Sequence, residues 1–149
     1  MIVEDKLLEH AQYVGNYYGT PRDYVEHKLE DGFDVILEIE IQGALKVKEK
    51  FPDTVLMFLM PPTADELKKR LEGRGTEDEA TIKKRLLRAV EESQGVEEYD
   101  YIVINDVLDD CVEQIHEIIG NEHCKASNNL EKINQFRDEL TNMWKGDIR

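Results

Sequence analysis

Phe33-Asp34-Val35-Ile36-Leu37-Glu38-Ile39-Glu40 decides the fold class. The run is aliphatic through its centre and short enough for a strand. An apolar centre of this kind predicts a strand buried on both faces, as in a parallel sheet. Gln42 to Lys50, directly behind it, reads as a helix. The same alternation then recurs. Thr54-Val55-Leu56-Met57-Phe58-Leu59-Met60 is a second buried-strand run, stopped by Pro61-Pro62. Thr63-Ala64-Asp65-Glu66 has the pattern of a capping box and starts a helix to about Glu72. Gly73-Arg74-Gly75 breaks that helix, and Thr76-Glu77-Asp78-Glu79 caps a long one reaching about Glu97. Tyr101-Ile102-Val103-Ile104 is a third buried strand, ending at Asn105-Asp106. Asp106 is expected to cap a helix through about Ile119, and a final helix is expected over Asn129 to Met143. Strands alternating with helices argue for an α/β fold around a largely parallel sheet.

Upstream of this core the pattern differs. His10-Ala11-Gln12-Tyr13-Val14 and Tyr17-Tyr18 flank Gly15-Asn16, which reads as a hairpin turn. Thr20 is then expected to cap a helix, with Pro21 at its first position and Asp23 completing the box. That helix should run to about Glu30 and end at Gly32.

The chain has 149 residues, of which 40% are hydrophobic and 35% charged. Such a composition suits an ordinary globular domain, not a disordered or fibrous one. No run of about 18 apolar residues is present, so no membrane-spanning helix is expected. The first residues, Met1 to Lys6, lack the basic and apolar regions of a secretory signal. Cys111 and Cys124 form no CxxC pair and have no His at metal-ligand spacing, which fits a reduced, cytoplasmic chain. The net charge of −14 disfavours nucleic acid and anionic membrane as partners. Residues 68–88 run against this trend, with eight basic residues to four acidic ones. A basic island in an acidic chain suits a small anionic ligand as well as it suits solvated helix faces.

Ligands of open α/β sheets sit at the carboxyl ends of the strands. That rule selects Glu38 and Glu40, Pro61-Pro62-Thr63, and Asn105-Asp106. Glu38 and Glu40 are two apart and share a strand face. Such a pair can hold Mg²⁺ through water or orient a polar ligand, or it can simply mark a strand leaving the core. Arg70 and Arg74 stand one turn apart on a helix, and Arg85 follows across the glycine break. Arginine grips phosphate with a fixed fork of donors, so the pattern suits a mobile lid, or a plain surface hairpin. Tyr13, Tyr17 and Tyr18 crowd the hairpin, where they can meet a phosphate or a base or build a sheet face. His10, His27, His116 and His123 show no clustering, and Cys111 falls on the apolar side of a helix.

Together these segments resemble guanylate kinase. Glu9 to Thr20 (EHAQYVGNYYGT) resembles the GMP-binding hairpin, and Leu37 to Gly43 (LEIEIQG) resembles the acidic motif at a strand end. Leu67 to Glu77 (LKKRLEGRGTE) resembles the lid, and Ile102 to Asp106 (IVIND) the adenine-side loop. The resemblance covers roughly residues 5–122. It implies transfer of the γ-phosphoryl group of ATP to GMP, with Mg²⁺, giving ADP and GDP. It implies that Glu9 and Thr20 bond the guanine, with Glu38 near the same base, and that Tyr18 donates to the GMP phosphate beside Gly19. Glu40 would lie near the Mg²⁺–phosphate centre. Arg70, Arg74 and Arg85 would close on the phosphates as catalytic groups. Asn105 and Asp106 would border the adenine or its ribose.

The family's phosphate-cradling GxxxxGK[ST] segment does not occur in these 149 residues. Met1 aligns with an interior position of the family. The expectation is therefore a parallel-sheet P-loop kinase-like core without its central P-loop strand, and a chain with no appreciable kinase activity by itself. Residues 1–20 would be the remnant of the GMP-binding subdomain. Residues 21–125 would be the kinase core with a lid at about 70–85, and 126–149 a helical tail. Self-association through exposed strand edges is the expected liability. The alternative is a non-catalytic guanylate kinase-like binding module, or a decayed remnant of the enzyme. Glu9, Thr20 and the three arginines fit the enzyme pattern.

Overall fold

The computed structural model describes residues 6–13, 16–75 and 78–147. The chain divides into two compact units, Met1–Ile102 and Val103–Arg149.

The first unit opens with a hairpin of β1 (Leu7–Tyr13) and β2 (Asn16–Pro21), paired antiparallel. Its register sets His10 opposite Gly19 and Ala11 opposite Tyr18, with an irregularity between Leu7 and His10. The expected turn at Gly15 lies outside the described residues. Helix α1 (Arg22–Glu30) packs on β2, and α2 (Ile41–Lys50) packs on β1. Leu8, Val25 and Val47, one from each of β1, α1 and α2, meet as a buried cluster. Burying such a side chain stabilises by about 1.5–3 kcal/mol, so this small cluster is what clamps the hairpin to the two helices. Gly32 ends the α1 region at a φ of +86°, a conformation open to glycine and costly for other residues.

Two expectations about this unit are corrected. Thr20 does not cap α1. The N-cap residue is Pro21, without a side-chain bond, and Thr20 lies in β2 with its hydroxyl turned to β1. Phe33–Glu40 is not a strand. It has no ladder partner among the described residues. Val35, Leu37 and Ile39 pack against the core cluster, while Ile36 between them is 73% exposed. The alternation is that of a strand with one face covered. Ladder bonds need a neighbouring strand, and apolar composition does not supply one.

Strand β3 (Met57–Met60) pairs with β4 (Tyr101–Ile104), whose first half belongs to this same unit. Asp100 ties the approach to the two strands. Its Oδ2 accepts from the Leu56 N–H at 2.8 Å and from Lys48 Nζ at 3.2 Å, and Lys48 also donates to the Thr54 carbonyl. Both strands were expected to be buried on two faces. Leu59 and Ile102 are exposed instead, so the described residues cover only one face of each.

Helices α3 (Ala64–Gly73) and α4 (Glu79–Ser93) form a contacting pair in which no residue is fully buried. Thr63 caps α3 by accepting from the Glu66 N–H at 3.1 Å, as its sequence pattern predicts. Asp78 caps α4 by accepting from the Thr81 N–H at 2.8 Å, while Thr76 and Glu77 lie outside the described residues. Helix α4 stops at Ser93, short of the expected Glu97, and a 3₁₀ turn at Val96–Glu98 follows.

The second unit holds the end of β4, α5 (Leu108–His123), a 3₁₀ turn at Ala126–Asn128 and α6 (Leu130–Asp147). Asp106 is not the cap of α5. That position is Val107, without a side-chain bond, and the helix runs past Ile119 to His123. Cys111 and Ile118 are buried along its inner face. The Asn128 and Asn129 side-chain amides donate to the Glu122 and His123 carbonyls, both at 2.7 Å, closing the end of α5.

Candidate functional site

The site is built from β1, β2 and the start of α2. Glu9 on β1 is buried to 9% exposure, an unusual place for a carboxylate without an ion partner among the described residues. The Thr20 hydroxyl on β2 donates to its Oε1 at 2.8 Å. A carboxylate offers about four acceptor positions, so one hydroxyl leaves most of its capacity free. Gly19, next to Thr20, lets the two strands approach. A Cβ there would lie 2.8 Å from the Glu9 carbonyl oxygen and 2.8 Å from Leu7 Cδ1. Tyr18, one residue earlier, is exposed.

Glu40 is the N-cap of α2. Its Oε1 accepts from the Gly43 N–H at 2.8 Å and its Oε2 from the Gln42 N–H at 3.1 Å. A carboxylate at this end of a helix also meets the positive end of the helix dipole. Arg88 of α4 reaches the same carboxylate, with Nη2 at 3.8 Å from Oε2, while its Nε donates to Glu92 at 2.9 Å. Between these elements lies an open cavity of about 450 Å³ lined by Glu40, Gln42, Lys84, Leu87 and Arg88, among others. Burial pushes the Tyr99 phenol above its ordinary 10.0, and the nearby charges of Glu40 and Glu92 push the same way. Glu38 is exposed and lies on the outer side of the segment 33–40.

The arginines sit on the α3–α4 pair. Arg70 donates from Nε to Glu66 Oε1 at 2.9 Å, within α3. Arg74 is the C-cap of α3 and is exposed. Its φ of −68° and ψ of −23° carry the helical path one turn beyond Arg70. Gly75 then turns the chain at a φ of +62°, and Arg85 is exposed on α4. Asn105 and Asp106 follow β4 in the second unit, the first half-buried and the second exposed.

Within the first unit, then, Glu9, Gly19, Thr20 and Glu40 are brought to one place by the hairpin and α2. Three participants had no role in the sequence reading. Gly43 stands between Glu9 and Glu40, Arg88 pairs with Glu40, and Tyr99 feels the charge of Glu40. A signal for Gly43 was present, since a glycine in the first turn of a helix serves that helix poorly.

A family model described as guanylate kinase matches residues 1–122 of this chain. The chain belongs to the guanylate kinase family. It is 52% identical over 136 residues to a guanylate kinase of Halalkalibacterium halodurans, covering 91% of this chain and 67% of that protein. It is 48% identical over 138 residues to one of Latilactobacillus sakei, covering 93% and 68%. Among solved structures, the guanylate kinase of Anaplasma phagocytophilum superposes with a TM-score of 0.71 at 29% identity, covering 91% of this chain and 67% of that one. The chain therefore spans about two thirds of the length of these guanylate kinases. The likeness extends to the α/β fold and places this chain among phosphotransferases that act on ATP and GMP. Among the described residues, no helix is long and apolar enough to cross a membrane.

At a kinase centre Mg²⁺ is held by one or two carboxylates together with waters and substrate phosphates. Among the described residues, no three His, Cys, Asp or Glu side chains gather as an all-protein metal cage would need. Each oxygen of Glu40 accepts one backbone N–H of α2, which leaves acceptor capacity on both.

Proposed function

We propose that this chain carries the guanine-reading and lid portions of a guanylate kinase, and that Glu9 is the group that selects GMP. The observation behind this reading is the buried Glu9 carboxylate, oriented through Oε1 by Thr20 and without a further donor among the described residues. Guanine presents the matching chemistry. Its N1–H and exocyclic amine are two adjacent donors, and a carboxylate accepts both, whereas adenine has an acceptor at N1. Thr20 supplies a hydroxyl at the same edge. In this reading Tyr18 donates to the GMP phosphate, Glu38 lies near the base, and Asn105 and Asp106 border the adenine side.

Arg70, Arg74 and Arg85 are the charge-stabilising groups in this proposal. Their helices carry no fully buried residue, which leaves the α3–α4 pair free to move as a lid. Phosphoryl transfer depends on positioning and on stabilising charge over the transferred oxygens, and guanidinium groups do both. These 149 residues hold no GxxxxGK[ST] segment to cradle the ATP phosphates. The polypeptide by itself is therefore expected to recognise GMP weakly and to turn over ATP without appreciable rate. The exposed edges of the β3–β4 sheet make self-association a second expectation.

The test is an NMR titration of the 149-residue chain with GMP, IMP and AMP. The expected order of affinity is GMP, then IMP, then AMP, with shifts centred on Glu9, Tyr18 and Thr20. Equal response to all three nucleotides, or shifts centred elsewhere, would refute the assignment. GMP-dependent ATP turnover by the pure chain would contradict the expectation of inactivity.

A further inference from the structure

Gly43 occupies the first turn of α2 and is buried. Nearly any other residue would serve the helix better. The space around it gives the reason for glycine. A Cβ at this position would stand 3.2 Å from Glu9 Oε2, 3.7 Å from Glu9 Cδ and 3.5 Å from Glu40 Oε1. The first of these distances is tighter than ordinary van der Waals contact, so the Glu9 carboxylate would have to yield by a few tenths of an ångström. Neither carboxylate yields freely. Glu9 is held on its far side by the Thr20 hydroxyl at 2.8 Å, and Glu40 Oε1 is held by the Gly43 N–H itself at 2.8 Å. One missing side chain thus sets the position of a carboxylate from β1 against one at the start of α2, 31 positions apart in the sequence.

We infer that Gly43 is a positioning residue for guanine selection, its bare Cα fixing the depth and tilt of the Glu9 carboxylate. The inference rests on the guanine-reading role proposed above for Glu9. A carboxylate that must accept two parallel hydrogen bonds is sensitive to tilt, because a small rotation lengthens one bond while sparing the other. The bond at the exocyclic amine distinguishes GMP from IMP, which has the N1–H but no amine. Displacing Glu9 therefore reduces GMP affinity more than IMP affinity.

The experiment compares the wild-type chain with Gly43→Ala and with Gly120→Ala, a control in α5 where a Cβ would meet nothing within 4 Å. Two quantities are read: the Glu9 side-chain carboxyl resonance without nucleotide, and the ratio of GMP to IMP affinity. In Gly43→Ala the Glu9 resonance is expected to move and the ratio to fall about tenfold, the scale of one impaired charge-assisted bond. In Gly120→Ala both should stay at their wild-type values. A helix-only role for Gly43 predicts a more stable protein with both readouts unchanged, and that result overturns the inference. A moved resonance with an intact ratio also overturns it. If the wild-type chain does not prefer GMP to IMP, the guanine-reading role fails, and the Glu9 resonance still decides whether Gly43 positions the carboxylate. If Gly43→Ala loses its fold, the double variant Gly43→Ala/Glu9→Ala removes the contact and should restore it. Failure of that restoration overturns the inference as well.

Discussion

Replacing Thr20 with Val removes one hydroxyl and keeps the branched shape that suits β2. The hydroxyl donates to Glu9 Oε1 at 2.8 Å, and Glu9 is 9% exposed. A hydrogen bond to a charged group contributes about 1.5–3 kcal/mol net, and removing one partner leaves the other desolvated without compensation. Thr20 is itself only half-buried, so water can replace part of the lost bond, and the lower end of that range applies. The expected loss is about 1.5 kcal/mol, or roughly tenfold in the opening equilibrium of the hairpin. The assay is native-state amide exchange of the β1–β2 ladder around the His10–Gly19 pair. Fluorescence would miss the effect, because Trp144 is the only tryptophan and lies in α6 of the second unit. Exchange in Thr20→Val is expected to be about tenfold faster, with Thr20→Ser close to wild type. Ladder exchange within about twofold of wild type in a folded Thr20→Val protein would refute the claim that this bond holds Glu9.

Three further outcomes are expected. Hydrogen bonds from the Thr81 hydroxyl and N–H hold the Asp78 carboxyl below 3.8, so its cap on α4 is complete above that pH and weakens as pH falls through the lower folded value. Thr81 amide protection should follow that course and lose it in Asp78→Ala; a pH-independent wild-type profile would contradict the cap. Tyr99, raised above 10.0 mainly by burial, keeps its neutral phenol to higher pH, so its contribution is complete below 10.0 and lost as pH rises through the folded value. Phenolate absorbance should show Tyr99 ionising above 10.0, and Glu40→Gln should bring it earlier; ionisation of Tyr99 at or below 10.0 would count against this environment. Asp100→Ala removes the acceptor of the Leu56 N–H and of Lys48, and should lower stability to urea by about 1 kcal/mol, whereas Lys48→Met should cost less.

Local signals carried most of the helix reading. Thr63 caps α3 and Gly75 turns the chain after it, because a cap and a positive φ depend on residues a few positions apart. Thr20 shows where local reading stops. The same hydroxyl can cap a helix or reach across a hairpin, and the nearness of Glu9, eleven residues back, decides between them. Phe33–Glu40 shows the second limit. Its alternation is visible in the side chains, with Val35, Leu37 and Ile39 inward, but a strand exists only where another strand accepts its ladder bonds. Glu40 shows a third: its sequence pattern reads as a ligand or as the mark of a strand leaving the core, whereas its bonds to Gln42 and Gly43 make it the cap of α2.

The sequence by itself determined most of the helices and two of the core strands, the acidic balance with its basic 68–88 segment, and the family, since these reside in residue order and composition. Only the tertiary structure decided which groups meet. Glu9 is buried because the Leu8–Val25–Val47 cluster draws α1 and α2 onto the hairpin, and it lies against Gly43 because α2 packs on β1. Those contacts join residues far apart in the chain, and apolar burial is non-directional, so their geometry follows from packing and not from any local pattern.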